Sequence, residues 1–183
     1  MIAILFAHPW HGSYNKALLD AISTELDQQG KAYQVIDLHQ DQFNPVLTES
    51  ELALYSQGKY SDPLVGKYQE ILKQAEQVIF LFPIWWNGMP AILKGFLDKV
   101  MLVHFSHNYE NGWTPLLDIA KTLVITTSQS PTAQFHNAIY TEFIQHGLGA
   151  IGFKNPLWLN CDNVSLGSDA HRQAFIQEVI AAL

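Results

Sequence analysis

Cysteine is almost missing from this chain: Cys161 is the only one among 183 residues. No internal disulfide can form, and a thiolate zinc ribbon is excluded. Positive charge is also scarce. Ten Lys and Arg stand against seventeen Asp and Glu, a net charge of −7 with no basic run. That balance argues against a nucleic-acid surface and against adsorption to anionic membranes. No apolar stretch reaches transmembrane length, so no membrane span is expected. The apolar start, Met1 to Ala7, has no basic leader residues and runs into His8-Pro9, which reads as a first strand rather than a signal peptide. No Walker sequence occurs, and the one G-x-G-x-x-G, Gly147 to Gly152, closes an expected helix rather than opening one after a strand. A tightly gripped dinucleotide in the Rossmann mode and an NTPase are therefore not indicated. What remains is a cytoplasmic chain expected to form one domain over 1–183, long enough to bury a core without staples.

The chain is organised around Val78 to Met101. Val78-Ile79-Phe80-Leu81-Phe82 is an unbroken apolar run, as in a strand with both faces covered. Pro83 cannot continue a central ladder, so the strand should stop there. A loop, Ile84 to Met89, holds two adjacent tryptophans and an Asn-Gly pair, and Pro90 then opens a helix. Elsewhere strands and helices alternate. Strands are expected at Ile2–Phe6, Ala32–Leu38, Lys121–Thr127 and Asn155–Asn160. Helices are expected from Tyr14, with Ser13 as N-cap and Ala17, Leu18, Ala21, Ile22 and Leu26 as its stripe, then over Leu64–Gln77, Ala133–Leu148 and from Ser168. A short helix follows Thr48-Glu49-Ser50-Glu51, and His104 to Leu117 reads as a small hairpin or flap. Alternation of this kind implies parallel strands, right-handed crossovers and a three-layer α/β/α sandwich, with a five-stranded parallel sheet in the order 2-1-3-4-5.

In such a sheet a ligand sits at the carboxyl ends of the strands where their order reverses. Three loops are placed there. The first carries Gly12, Ser13 and Asn15 at a helix mouth, where free amides and the helix dipole favour an anion; Ser13 as a plain N-cap and Asn15 as a surface residue is the alternative. The second carries Trp85, Trp86 and Gly88, with apolar walls and amides suited to a flat heteroaromatic ring such as a flavin; core or interface packing is the alternative for the two indoles. The third, Thr126-Thr127-Ser128-Gln129, offers hydroxyls and amides, or is a polar turn. His104 and His107 beside Glu110 lack a further spaced metal ligand, so they read as a polar flap. Cys161 reads as a small buried side chain, and Lys94 and Lys99 as the solvent edge of their helix.

Three motifs together carry a resemblance. F-P-I-W-W-N-G-M-P-A-I-L-K-G-F-L-D-K-V, with F-A-H-P-(x)3-S-Y-N at the first strand exit and I-T-T at the fourth, resembles the flavodoxin-like NAD(P)H dehydrogenase (quinone) family. The match spans Met1 to about Ser130. It implies a flavodoxin-like fold and a flavin, FMN or FAD, with NAD(P)H as co-substrate and a quinone or similar aromatic acceptor, working by ping-pong two-electron transfer through flavin N5. It also implies a homodimer whose seam is the Pro90–Met101 helix and the aromatic flap. His8, Ser13, Tyr14 and Asn15 would bind the flavin phosphate. Pro83, Ile84, Trp85, Trp86, Asn87 and Gly88 would line the ring, with Thr126, Thr127, Ser128 and Gln129 at its other edge. Many family members have Gly-Gly where this chain has Ser128-Gln129. The proton-relay tyrosine and histidine of the longer animal enzymes have no clear counterpart, His136 being the candidate by position. The short chain favours FMN. A flavodoxin-like electron carrier and an ancillary subunit of a membrane transporter are the alternative functions.

Overall fold

A computed structural model describes residues 1–183. In chain order the elements are β1 (Ile2–Phe6), α1 (Tyr14–Gln28), β2 (Tyr33–Asp37), α2 (Glu49–Tyr55), α3 (Pro63–Lys73), β3 (Gln77–Pro83), α4 (Ala91–Val100), β4 (His107–Asn108), β5 (Thr114–Pro115), β6 (Lys121–Thr127), β7 (Pro156–Cys161) and α5 (Asp169–Ala181). Five strands form one parallel sheet in the order β2-β1-β3-β6-β7, which is 2-1-3-4-5 when the main-sheet strands alone are counted. The flap is a separate antiparallel pair, β4 with β5. No helix is long and apolar enough to cross a membrane.

β3 shows why its sequence is apolar at every position. Val78, Phe80 and Phe82 face a core shared with α3 and α4, while Ile79 and Leu81 face a second core under α1 and α5. A strand covered on both faces has no side left for water, so alternation disappears. The ladder runs one residue further than expected, since Pro83 pairs with Thr127. Proline at the last rung removes no bond the sheet needs, because the next amide, Ile84 N–H, donates to Thr127 O at 2.8 Å.

Several local expectations hold and others shift. Ser13 caps α1 by accepting from Lys16 N–H, and Gly30 has φ 63° just beyond the helix, where only glycine avoids a steric cost. The buried stripe of α1 is Asn15, Leu18, Leu19, Ile22 and Leu26; Ala17 is exposed and Ala21 half-buried. Leu19 lies within the arc of Asn15, Leu18, Ile22 and Leu26, whereas Ala17 and Ala21, two positions to either side of it, lie outside that arc. The helix expected over Leu64–Gln77 starts at Pro63, capped by Asp62, and ends at Lys73. The segment expected as one helix from Ala133 is a 3₁₀ turn, Thr132–Phe135, followed by a π-helix, His136–Leu148. Its buried residues, Ile139, Phe143, Ile144 and Leu148, recur every four or five positions, and i→i+5 winding keeps that spacing on one face.

Lys99 is the largest departure. It is buried rather than at the solvent edge, with Nζ 2.9 Å from Glu51, 3.3 Å from Asp62, 2.9 Å from Asn44 O and above the Phe43 ring. Two carboxylates and a carbonyl make burial of the cation tolerable, and removing either side would leave an unpaired buried charge. One turn earlier, Gly95 lies against Pro45, and a Cβ there would overlap the Pro45 backbone. Gly95 and Lys99 thus hold the Phe43–Asp62 excursion on α4. Gly95→Ala should destabilise the fold by about 1–3 kcal/mol through overpacking, although in an open helix the same change would stabilise by about 1 kcal/mol. Urea unfolding midpoints decide the sign.

Candidate functional site

The exits of β1, β3 and β6 converge on a cavity of about 520 Å³. From the first exit come His8, Trp10, Ser13, Tyr14 and Asn15; from the second, Pro83, Ile84 and Trp85; from the third, Thr127, Ser128 and Gln129. Val164, Ser165 and Arg172 complete the wall. The floor is tied together by one bond. Asn15 Nδ2 donates to Thr127 Oγ1 at 2.8 Å, both residues buried, so the helix mouth is fastened to β6 across the end of β3.

The helix mouth has the properties of an anion site. Tyr14 and Asn15 occupy the first turn, whose amides have no partner within the helix. His8 Nδ1 accepts the Trp10 N–H at 3.1 Å, which places the proton of the neutral ring on Nε2 and makes that nitrogen a donor. Burial lowers the His8 pKa, with a further push from His39, so the ring is held neutral. Tyr14 is not a free donor: its hydroxyl donates to Arg172 O at 2.6 Å, and burial raises its pKa far above the usual phenol range. Arg172 itself donates to Val164 O at 2.9 Å and Gly167 O at 2.7 Å, fixing the β7–α5 loop as the far wall.

The tryptophan loop is a closed turn. Trp85 N–H and Gly88 N–H each bond the other residue's carbonyl at 3.0 Å. Trp86 and Asn87 between them have φ 52° and 62°, the two-positive-φ pattern of a type I′ hairpin. The left-handed positions are therefore Trp86 and Asn87, not Gly88, which has open space at its Cβ. A left-handed conformation costs a residue like Trp roughly 1–2 kcal/mol, and the Trp86 ring recovers none of it, being fully exposed. Trp85 lies edge-on to His8, centroids 5.8 Å apart.

Of the residues singled out from sequence, His8, Ser13, Tyr14, Asn15, Pro83, Ile84, Trp85, Thr127, Ser128 and Gln129 line the cavity together. Trp86, Asn87 and Gly88 stand at its rim side in the turn and do not line it. Thr126 points the other way: its hydroxyl accepts from Trp158 Nε1 and bonds Asn160 Oδ1, both at 2.8 Å, because alternate strand residues face opposite sides. His136 lies on the π-helix against Tyr140 and Trp158, outside the lining. His107 is buried in the flap and stacked on Trp113 at 4.2 Å. Trp10, Val164, Ser165 and Arg172 were not anticipated. An unusual indole in the first loop was visible for Trp10, whereas Arg172 reaches the cavity only through the docking of α5 on α1.

The sequence profile of the flavodoxin-like fold family matches residues 1–183. The chain belongs to that family. A Haemophilus influenzae protein named as an uncharacterized NAD(P)H oxidoreductase is 36% identical over 110 residues, 60% of this chain and 54% of that protein. Rat NAD(P)H dehydrogenase [quinone] 1 is 32% identical over 147 residues, 69% of this chain and 53% of that protein. This chain spans about half the length of these two relatives. The crystal structure of Smu.1420 from Streptococcus mutans superposes with a TM-score of 0.83 at 28% identity, covering 99% of this chain and 97% of that one.

Thr127→Val should destabilise the fold by about 1–3 kcal/mol, since it strands the buried Asn15 amide without an acceptor. Adding Asn15→Leu should restore part of that loss in a double-mutant cycle read by chemical denaturation, and strictly additive losses would rule out the bond as the tie.

Proposed function

We propose that this chain is a flavin-dependent NAD(P)H:quinone oxidoreductase. The observation that carries the reading is the convergence of three strand exits on one cavity whose walls are apolar at β3 and donor-rich at α1 and β6. The fit to a flavin can be tested on single atoms. Asn15 Oδ1 is buried without a partner beside a helix mouth with free amides, and a polyol phosphate supplies both a donor for the first and an anion for the second. Pro83, Ile84 and Trp85 would wall a ring; Ser13, Tyr14 and Asn15, with neutral His8 as an Nε2–H donor, would take the phosphate. The Gln129 main-chain N–H, beside Ser128, would meet the ring's polar edge. Trp86, Asn87 and Gly88 belong to the same reading through the exposed Trp86 face, which can close on a ligand or a second subunit.

A flavin bound there supplies a hydride acceptor at N5 and a donor of two electrons to the next substrate. The protein's part is to orient the ring, exclude water with the Ile84 and Trp85 walls, and leave one face open so that NAD(P)H and quinone use it in turn. The net change is NAD(P)H, a proton and quinone to NAD(P)⁺ and hydroquinone, and alternate use of one face gives ping-pong kinetics. The names of the two relatives, which join NAD(P)H to oxidoreduction and in one case to quinone, support the substrate pair. FMN is the proposed form of the flavin, because the phosphate donors assigned above cluster at a single site. The chain is further proposed to act as a single cytoplasmic domain and as a homodimer. The exposed Trp113 and Tyr109 of the flap and the outer face of α4 support the seam.

With FMN added, the purified protein should oxidise NADH or NADPH and reduce a soluble benzoquinone, giving parallel double-reciprocal lines. No turnover of NAD(P)H would instead favour a one-electron carrier, and intersecting lines would exclude the shared face.

A further inference from the structure

We propose that the Gln129 side chain is a positioning clamp: it holds the Gln129 N–H, the unengaged main-chain donor of the third loop's cavity lining, for the polar pyrimidine edge of a bound flavin. The inference rests on the flavin reading above and concerns residues where this chain departs from the Gly-Gly common in the family.

The hydrogen bonds of residues 127–129 carry the argument. Thr127 stands in the β6 ladder. Ser128 N–H donates to Cys161 O at 2.9 Å, Ser128 O accepts from Val164 N–H at 3.0 Å, and its hydroxyl donates to Ser130 O at 2.8 Å while accepting from Asn160 Nδ2 at 3.0 Å. Every polar group of Ser128 is therefore engaged within the protein. Gln129 is fixed by its side chain instead: Nε2 donates to Asn163 Oδ1 at 2.8 Å, and Oε1 accepts from Ser165 N–H at 3.1 Å. Its own main-chain N–H has no partner in the protein, and the residue lines the cavity. The loop it grips is itself held by Arg172 at Val164 O and Gly167 O. A two-glycine loop would present its amides by flexibility. Here a side-chain clamp fixes the orientation before a ligand arrives, which is how an aligned donor becomes worth more to a developing charge than to a neutral ring.

Reduction places negative charge on the pyrimidine edge of a flavin, so the clamp should favour the reduced form. The test compares the FMN-loaded wild type with Gln129→Leu, which keeps side-chain bulk and loses both bonds. Asn163→Gly serves as a second variant, because Asn163 sits at φ 48° and glycine keeps that conformation. Affinity for oxidised FMN, read by fluorescence quenching, should change by less than about threefold. Binding of reduced relative to oxidised FMN should weaken about tenfold, lowering the two-electron midpoint potential by about 30 mV, in both variants. An unchanged potential in variants that still bind FMN would overturn the clamp while leaving the flavin reading standing. Failure of the wild type to bind FMN would overturn the flavin reading and the clamp with it.

Discussion

The bond from Asn15 to Thr127 is the constraint on which the site depends. β1 and β6 are not neighbours in the sheet; β3 lies between them. A side chain leaving α1 reaches over the end of β3 and meets the last residue of β6 at 2.8 Å. Both partners are buried, so the bond works where water cannot compete, and leaving either group unpaired costs more than the bond itself contributes. It also sets the depth of the cavity. β3 must end beneath it, which Pro83 ensures, and the chain must then turn away, which the Trp85–Gly88 hairpin does.

Around that tie the protein keeps its polar groups engaged with one another and leaves a few open. The Tyr14 hydroxyl, the Arg172 guanidinium and the Ser128 backbone and hydroxyl are all satisfied internally. The Tyr14 and Asn15 N–H groups, the Nε2–H of neutral His8 and the Gln129 N–H are not. A site built this way is rigid before binding, and its unengaged donors concentrate at two places: the helix mouth and the edge of the third loop. The strain at Trp86 belongs to the same design. A left-handed tryptophan with its ring in solvent is costly in the free chain, and such outliers cluster at ligand clamps and interfaces.

Much of this was legible in the sequence wherever the signal was local. The both-faces-covered run of β3, the Ser13 and Ser168 caps, the short helix opened by Thr48-Glu49-Ser50-Glu51 and the strand order all follow from composition and spacing. So did six of the cavity-lining residues, because switch-point loops in an open sheet must converge, while His8, Tyr14, Pro83 and Ile84 came with the family resemblance. The failures are long-range. Lys99 looks like a solvent-edge lysine until Glu51 and Asp62, 48 and 37 positions earlier, fold over it. Arg172 enters the site only because α5 docks on α1. Thr126 and Thr127 are adjacent and chemically alike, yet strand alternation sends one into the Trp158–Asn160 network and the other into the cavity. Gly88 is the glycine of the second loop, yet the left-handed conformations fall on Trp86 and Asn87, a choice set by the hairpin twist rather than by the residue types.

The most direct test of the account is the cofactor carried by the protein as purified from cells. Heat-released small molecules, identified by mass and counted against the chain, should contain FMN at about one per protomer, or the apoprotein should take it up to that ratio. A preparation that carries no flavin and binds none on titration would contradict the account.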